Sequence, residues 1–124
     1  MKSTATNPDY LNGVPELVIL RLLADEPMYG YELVQRIRAA SGEQLTFGEG
    51  CVYPILHRLE GQRYLTSKRE DVGGRSRVVY RVSRQGKARL AQAAAQWRRV
   101  VTAVGAILQG GKHGFPTVAT DRAS

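Results

Sequence analysis

Residues 65–83 read LTSKREDVGGRSRVVYRVS, and this stretch decides the fold. Apolar and polar residues alternate in its second half, which predicts a strand over Arg77–Ser83, and Leu65–Glu70 is the predicted partner strand. The segment between them, residues 71–76, contains adjacent glycines and an arginine. Because paired glycines favour chain reversal, we predict that these six residues form the loop of a β-hairpin with a cationic tip.

Helices are predicted on the N-terminal side of this hairpin. The first, about residues 15–25, opens at Pro15 and is apolar on most sides, so we expect it to be buried. The second begins at Tyr29, continues to about Ala40 and ends at Gly42, since glycine is a common helix terminator.

A third helix is predicted at about residues 49–62. A start at Thr46 would offer a capping box but would place Pro54 in the helix interior, where it forces a kink. We therefore place the start near Glu49 or Gly50. The inner, apolar stripe of this helix consists of Val52, Ile55, Leu56 and Leu59.

A long helix is predicted after the hairpin, over about residues 84–108, with Ser83 as its N-cap. Its apolar residues recur at spacings of three and four, as in a coiled-coil heptad. This stripe consists of Leu90, Ala94, Trp97, Val101, Val104 and Leu108. A second stripe lies to one side of it and consists of Ala93, Val100 and Ile107. One helix cannot bury both stripes against so small a domain, so we expect one stripe to meet a partner subunit.

The order of these elements predicts a mainly α protein with a small two-stranded β wing, a winged helix-turn-helix. We assign residues 14–83 to this domain and residues 84–109 to a C-terminal dimerisation helix. Residues 1–13 are expected to be a flexible segment and residues 110–124 a disordered tail, because both are polar or glycine-rich.

The charge of the chain is concentrated in one region. The protein has 18 Lys and Arg against 11 Asp and Glu, a net charge of +7 and a pI near 10.0. Residues 57–99 hold more than the whole excess, with 12 basic and 3 acidic residues and a net charge of +9, and the rest of the chain has a net charge of −2. Such a field attracts nucleic acid or, less often, an anionic membrane surface, although a solvated basic face remains the alternative.

Other classes of protein receive little support from the sequence. The longest apolar run, Leu17–Leu20, is far too short to span a bilayer, and the N-terminus does not resemble a signal peptide. A single cysteine leaves no internal disulfide, so we expect a cytoplasmic protein. Because no nucleophile, phosphate-loop, metal-ligand or dinucleotide motif is present, we expect no catalytic residue, no metal and no cofactor.

Several motifs together resemble the PadR-like transcriptional regulators, in particular the short members with one C-terminal helix. These motifs are Tyr29-Gly30-Tyr31-Glu32-Leu33, the run from Val52 to Glu60 that includes Tyr53-Pro54, Gly74-Arg75, Val79-Tyr80-Arg81-Val82-Ser83, and Gly86. The resemblance covers about residues 14–108. It departs at Gly50-Cys51, where the family has Ser or Thr, and at Arg63-Tyr64, where the family has a glycine.

This resemblance implies a homodimeric, DNA-binding repressor that responds to a small aromatic or cationic effector. Two-fold docking predicts an inverted-repeat operator with half-sites about 10 base pairs apart or a multiple of that distance. The alternative is a winged-helix adaptor whose basic face binds an acidic protein partner. An enzyme acting on an anionic substrate is a third possibility, without a polar constellation to support it.

The N-terminal end of the third helix holds the candidate base contacts, Glu49, Gly50, Tyr53 and His57. Glu49 either accepts a hydrogen bond from cytosine or only begins the helix, and Gly50 permits close approach. The Tyr53 hydroxyl either bonds a phosphate or its ring packs between helices. His57 is a phosphate donor or a solvated residue.

The hairpin holds the candidate backbone contacts. Arg75 and Arg77 suit a minor groove or flanking phosphates, unless they are only a solvated turn, and Lys68 and Arg69 add sequence-independent phosphate contacts. Tyr29 is predicted to bring backbone amides of the second helix to the DNA backbone.

Two further residues have alternative roles. Trp97 lies in the middle of the heptad stripe, where two symmetry-related indoles either flank a flat effector or simply pack at the interface. Cys51 is either an oxidation sensor at a helix start or a small buried side chain.

Overall fold

The computed structural model of the chain describes residues 6–110, with side chains from residue 13 onward. In chain order the elements are α1 (Thr6–Asp25), β1 (Met28–Tyr29), α2 (Gly30–Ala40), α3 (Glu49–Gly61), β2 (Leu65–Val72), β3 (Arg75–Val82) and α4 (Arg84–Leu108). The fold is therefore mainly helical with a small antiparallel sheet, which confirms the predicted fold class. It is a winged helix fold followed by a long C-terminal helix.

Helix α1 begins earlier than the sequence predicts. It starts at Thr6, so the predicted start at Pro15 is wrong, and residues 6–13, expected to be irregular, are helical. Pro8 lies in the first turn of α1, where the missing backbone N–H of a proline breaks no intrahelical hydrogen bond. The helix continues through Pro15, which removes only one backbone hydrogen bond.

Parts of the two expected terminal segments fall outside the described residues. Residues 1–5 of the expected flexible segment and residues 111–124 of the expected tail are not described.

The sheet has three strands in the order β1-β3-β2, where the sequence predicted two. Strand β1 pairs Met28 with Tyr80 and Tyr29 with Val79. Two residues cannot show an alternating pattern, so this strand leaves no periodic signal in the sequence.

The hairpin is longer and its turn tighter than predicted. Strands β2 and β3 pair from Leu65 opposite Val82 to Val72 opposite Arg75. Only Gly73 and Gly74 remain as the turn, with φ of +60° and +83°, so the predicted six-residue loop is wrong. Positive φ at both central residues defines a type I′ turn, whose twist matches that of the strands and lets both strands extend to the tip.

The core lies between the three N-terminal helices and the base of the sheet. Its fully buried side chains are Ile19 and Leu20 of α1, Leu33 and Ile37 of α2, Val52, Leu56 and Leu59 of α3, and Met28 and Leu65 of the sheet. In α3 the predicted inner stripe is confirmed, except that Ile55 is only partly buried. The core therefore fixes which face of α3 points outward.

Helices α2 and α3 end with the same hydrogen-bond pattern but with different residues. After α2, Gly42 adopts a φ of +60° while Glu43 N–H bonds the Arg38 carbonyl at 2.7 Å. After α3, Arg63 takes the equivalent place with a φ of +70°, while Tyr64 N–H bonds the Leu59 carbonyl at 2.9 Å. Both are Schellman motifs, which favour glycine at the positive-φ position.

The exit of α3 is joined directly to the start of α4. The Ser83 hydroxyl donates to the Arg63 carbonyl at 2.7 Å and accepts from Gly86 N–H at 3.0 Å, so the predicted N-cap is confirmed. Gly86 is buried, and a Cβ there would collide with the Tyr64 carbonyl. Only glycine permits this close approach, which ties the first turn of α4 to the end of α3.

The chain divides into two compact units within helix α4. The first unit ends at Ala93 and the second begins at Ala94.

Candidate nucleic-acid interface

The hairpin presents a cluster of basic side chains around a tight turn. Lys68, Arg69 and Arg75 are exposed and Arg77 is half-buried, all of them on strands β2 and β3. Arg69 donates to the Ser76 hydroxyl across the hairpin at 3.4 Å. We call these four residues, Lys68, Arg69, Arg75 and Arg77, the basic hairpin.

Among residues 13–110, carboxylates form ion pairs with arginines outside the basic hairpin. Glu70 lies opposite Arg77 in the register, yet its carboxylate pairs with Arg81 instead. The hydrogen bond from Arg81 lowers the pKa of the Glu70 carboxyl, so this acid stays ionised with its own partner. Among residues 13–110, no carboxylate forms an ion pair with any member of the basic hairpin.

Arg77 and Tyr29 form a contact that the sequence did not reveal. The Arg77 guanidinium lies over the Tyr29 ring, with its central carbon 4.5 Å from the ring centroid. This is cation–π geometry. The predicted role of Tyr29, in which its backbone amide meets DNA, did not include this contact of its ring with the basic hairpin. The nearby Tyr31 of α2 is exposed.

The candidate base contacts lie where α3 begins. Glu49 and Gly50 are exposed in its first turn, and His57 is exposed two turns later. A Cβ at Gly50 would meet nothing within 4 Å, so the fold itself does not require glycine there. The space beside this turn is open to a partner.

Tyr53 packs between helices α2 and α3. Its ring and hydroxyl lie within 2.6 Å of where a Gly30 side chain would begin, so any larger residue at position 30 would displace the ring. The ring centroids of Tyr53 and His57 are 6.4 Å apart. The structure thus shows the packing role that was one of the alternatives for Tyr53, and the ring remains only half-buried.

A buried carboxylate holds α3 and α4 in place. Glu16 of α1 is only 5% exposed and accepts hydrogen bonds from Arg58 of α3 at 3.2 Å and from Arg89 of α4 at 2.7 Å. The hydrogen bond that Arg89 donates to Glu16 raises the pKa of the Arg89 guanidinium. Arg89 also lies 5.7 Å over the Tyr64 ring. This cluster was missed, although a carboxylate next to the apolar run of α1 is a signal that a cation lies beside it.

The burial of the predicted dimer stripe decreases from the start to the end of α4. Leu90 is partly buried against the core, and Ala94 is half-buried. The remaining members are large hydrophobic residues that are exposed, namely Trp97, Val101, Val104 and Leu108. The exposed fraction rises from 42% for Trp97 to 79% for Leu108, and Ile107 of the second stripe is 72% exposed. A row of exposed apolar side chains on one helix marks an interaction surface more often than a solvated one.

Three further features of the described residues concern metal binding, the free thiol and membrane spanning. Within the described residues, no three His, Cys, Asp or Glu side chains come close enough to hold a metal ion. Cys51 is a half-buried free thiol in the first turn of α3. No helix among the described residues is long and apolar enough to cross a membrane.

Three helices followed by a basic antiparallel hairpin define a winged helix-turn-helix protein. The sequence profile of the Transcriptional regulator PadR-like family matches residues 19–92. This match covers more than half of the chain, which therefore belongs to the PadR-like family of transcriptional regulators.

Individual relatives agree with this assignment. The transcriptional regulator Rv3488 of Mycobacterium tuberculosis is 34% identical over 84 residues, 68% of this chain and 76% of that protein. The structure of smu.1704 from Streptococcus mutans matches with a TM-score of 0.73 at 25% identity, covering 84% of this chain and 94% of that one. A PadR family transcriptional regulator from Eggerthella lenta matches with a TM-score of 0.64 at 32% identity, covering 85% of this chain and 87% of that one.

Proposed function

We propose that this regulator binds double-stranded DNA in a sequence-specific manner as a homodimer and represses transcription by occupying a promoter. The single observation that carries the proposal is the basic hairpin, whose charges pair with no carboxylate among residues 13–110. Unneutralised arginines on a protruding hairpin attract phosphate, and their affinity comes largely from the release of counterions.

The two elements of the interface have different tasks. Helix α3 is narrow enough for the major groove, and its exposed first turn carries Glu49 and Gly50 to the base edges. His57 lies further along α3, within reach of the DNA backbone. The hairpin then contacts the adjacent minor groove or its flanking phosphates through Arg75 and Arg77. Specificity comes from α3, and most of the affinity from the hairpin.

Dimerisation places two such interfaces on one face of the DNA. The exposed stripe of α4, from Trp97 to Leu108, is apolar enough to pair with the same stripe of a second copy. A two-fold axis then requires an inverted-repeat operator, with half-sites about 10 base pairs apart or a multiple of that distance.

The salt dependence of DNA affinity tests the proposal. A labelled duplex selected by the protein from a random pool is titrated between about 50 and 200 mM NaCl. If four basic side chains per subunit meet phosphates, the slope of log K against log salt is about −7 for the dimer. The double variant Arg75→Ala with Arg77→Ala then has a slope of about −4.

A matched control separates position from net charge. Arg98→Ala with Arg99→Ala removes the same charge from α4, and its slope stays close to that of the wild type. If the two double variants lose affinity equally, the hairpin has no special role. If the hairpin variant keeps full DNA affinity, the protein-binding adaptor becomes the better account.

We also propose that a small aromatic or cationic effector binds between the two α4 helices at Trp97. Trp97 is 42% exposed, and in a two-fold dimer its indole approaches that of the partner. It is the only tryptophan of the chain, so fluorescence reports on this position alone. Saturable quenching by planar cations or phenols supports the pocket, and an unchanged signal across the panel leaves Trp97 as packing.

A further inference from the structure

Strand β1 brings the Tyr29 ring under the Arg77 side chain. Tyr29 pairs directly with Val79 of β3, and Arg77 lies two residues before Val79 on the same face of that strand. Tyr29 and Arg77 are thus diagonal neighbours across an antiparallel pair, a distance that long side chains span easily. The guanidinium carbon lies 4.5 Å from the ring centroid.

Among residues 13–110, no carboxylate competes with this ring for Arg77. Glu70, its direct partner in the register, pairs with Arg81. The Arg77 Nε is buried and makes no hydrogen bond within the described residues. Among the contacts described for Arg77, the Tyr29 ring is therefore the one that orients the guanidinium.

We propose that Tyr29 is a positioning residue that pre-orients Arg77 for a DNA phosphate. This inference rests on the proposed DNA-binding function. It gives Tyr29 an indirect role, in which its ring acts through Arg77 instead of touching the nucleic acid.

The physical reason is the shape of the guanidinium. Its flat face stacks on an aromatic ring while its edge keeps N–H groups that point outward and bind phosphate oxygens. A free arginine loses much rotamer freedom when it binds, whereas a stacked arginine has already lost part of it. Within the part of the chain that the structure describes, the exposed Arg75 stacks on no aromatic ring, so the two arginines of the hairpin differ in preorganisation.

A double-mutant cycle on DNA affinity tests the proposal. The probe is a mixed-sequence duplex of about 30 base pairs at about 50 mM NaCl, where phosphate contacts supply nearly all of the binding. Tyr29→Leu is expected to weaken binding about three- to tenfold. The conservative variant Tyr29→Phe keeps the ring and restores binding to within about twofold of the wild type.

The effect of Tyr29→Leu must vanish when Arg77 is absent. In an Arg77→Ala background we expect Tyr29→Leu to change affinity by less than about twofold, because nothing remains for the ring to hold. An equal loss in both backgrounds would mean that the leucine acts on the fold alone, which overturns the proposal.

Arg77→Lys provides a second test, in which the fold of the half-buried variant is checked by thermal unfolding. It keeps the positive charge but loses the planar stack, so we expect about the same loss as for Tyr29→Leu. Wild-type affinity for Arg77→Lys, or a full loss for Tyr29→Phe, would overturn the positioning role. If the wild-type protein fails to bind the duplex at all, the proposed function fails instead, so the two failures are distinguishable.

Discussion

The two halves of helix α4 bury their side chains very differently. In the first half, residues 84–93, Leu90 packs against the core and Arg89 bonds the buried Glu16. In the second half, residues 94–108, Ile107 and Leu108 are 72% and 79% exposed. One continuous helix thus begins as part of a closed domain and ends as an apolar surface.

The difference in burial indicates that the two halves of α4 are stabilised by different contacts. Fully burying a large apolar side chain stabilises by about 1.5–3 kcal/mol, so the exposed stripe of α4 represents several kcal/mol that folding of one chain does not realise. We infer that the winged-helix domain is stable through its own contacts, whereas the second half of α4 gains its stability from association.

The largest expected effect is on association. Val101→Asp places a carboxylate from each subunit in the apolar stripe, where desolvation costs several kcal/mol per ion. We expect sedimentation analysis to find two chains for the wild type and one for this variant. Thr102→Asp, an exposed neighbour outside the stripe, is the control and remains dimeric. A dimeric Val101→Asp variant would mean that α4 associates through another face.

The next effect separates the core from the stripe. Leu56 is fully buried, so Leu56→Ala is expected to lower the free energy of unfolding by about 2–5 kcal/mol. Leu108→Ala is expected to change it by less than about 0.5 kcal/mol when both are measured by urea unfolding in the monomeric Val101→Asp background. Equal losses would show that the end of α4 is packed within its own chain.

A smaller effect concerns the carboxylate that joins α3 and α4. Glu16→Ala leaves Arg58 and Arg89 without their acceptor and is expected to cost about 1–3 kcal/mol. Glu26→Ala breaks a solvent-exposed pair with Arg36 at 3.8 Å and is expected to cost less than about 1 kcal/mol. Thermal unfolding of both variants checks the difference, and an equal shift would remove Glu16 from its bridging role.

The smallest expected effect is a gain in stability. Arg63 holds a φ of +70°, a conformation that costs a residue with a Cβ about 1–2 kcal/mol. Glycine avoids this cost but loses more backbone entropy on folding, which offsets part of the gain in stability. We therefore expect Arg63→Gly to stabilise by about 0.5–1 kcal/mol in urea unfolding. Gly42→Ala, at the matching position after α2, is expected to destabilise by a similar amount. Destabilisation by Arg63→Gly would contradict the geometry of this turn.

Local signals predicted the elements that present the interface. The start of α3 at Glu49 agrees with the prediction, although Pro54 still lies inside the helix beyond its first turn, and α4 follows from the Ser83 cap and its heptad spacing. The placement of Arg75 and Arg77 on the hairpin follows from the alternating pattern around the paired glycines. These features depend on residues that are close together in the sequence.

The features that were missed depend on contacts between distant residues. Strand β1 has only two residues and exists because β3 lies beside it. The bonds of Glu16 reach Arg58 and Arg89, which are 42 and 73 residues away. The start of α1 was placed at Pro15 from its proline signal alone, whereas the helix begins nine residues earlier, at Thr6.

The mass of the protein–DNA complex tests the central claim most directly. The claim is that two copies of the chain present their basic hairpins together on one duplex. Sedimentation of the wild-type protein with its selected inverted-repeat duplex is expected to give two chains per duplex at saturation. A complex with a single chain on an intact inverted repeat would contradict it.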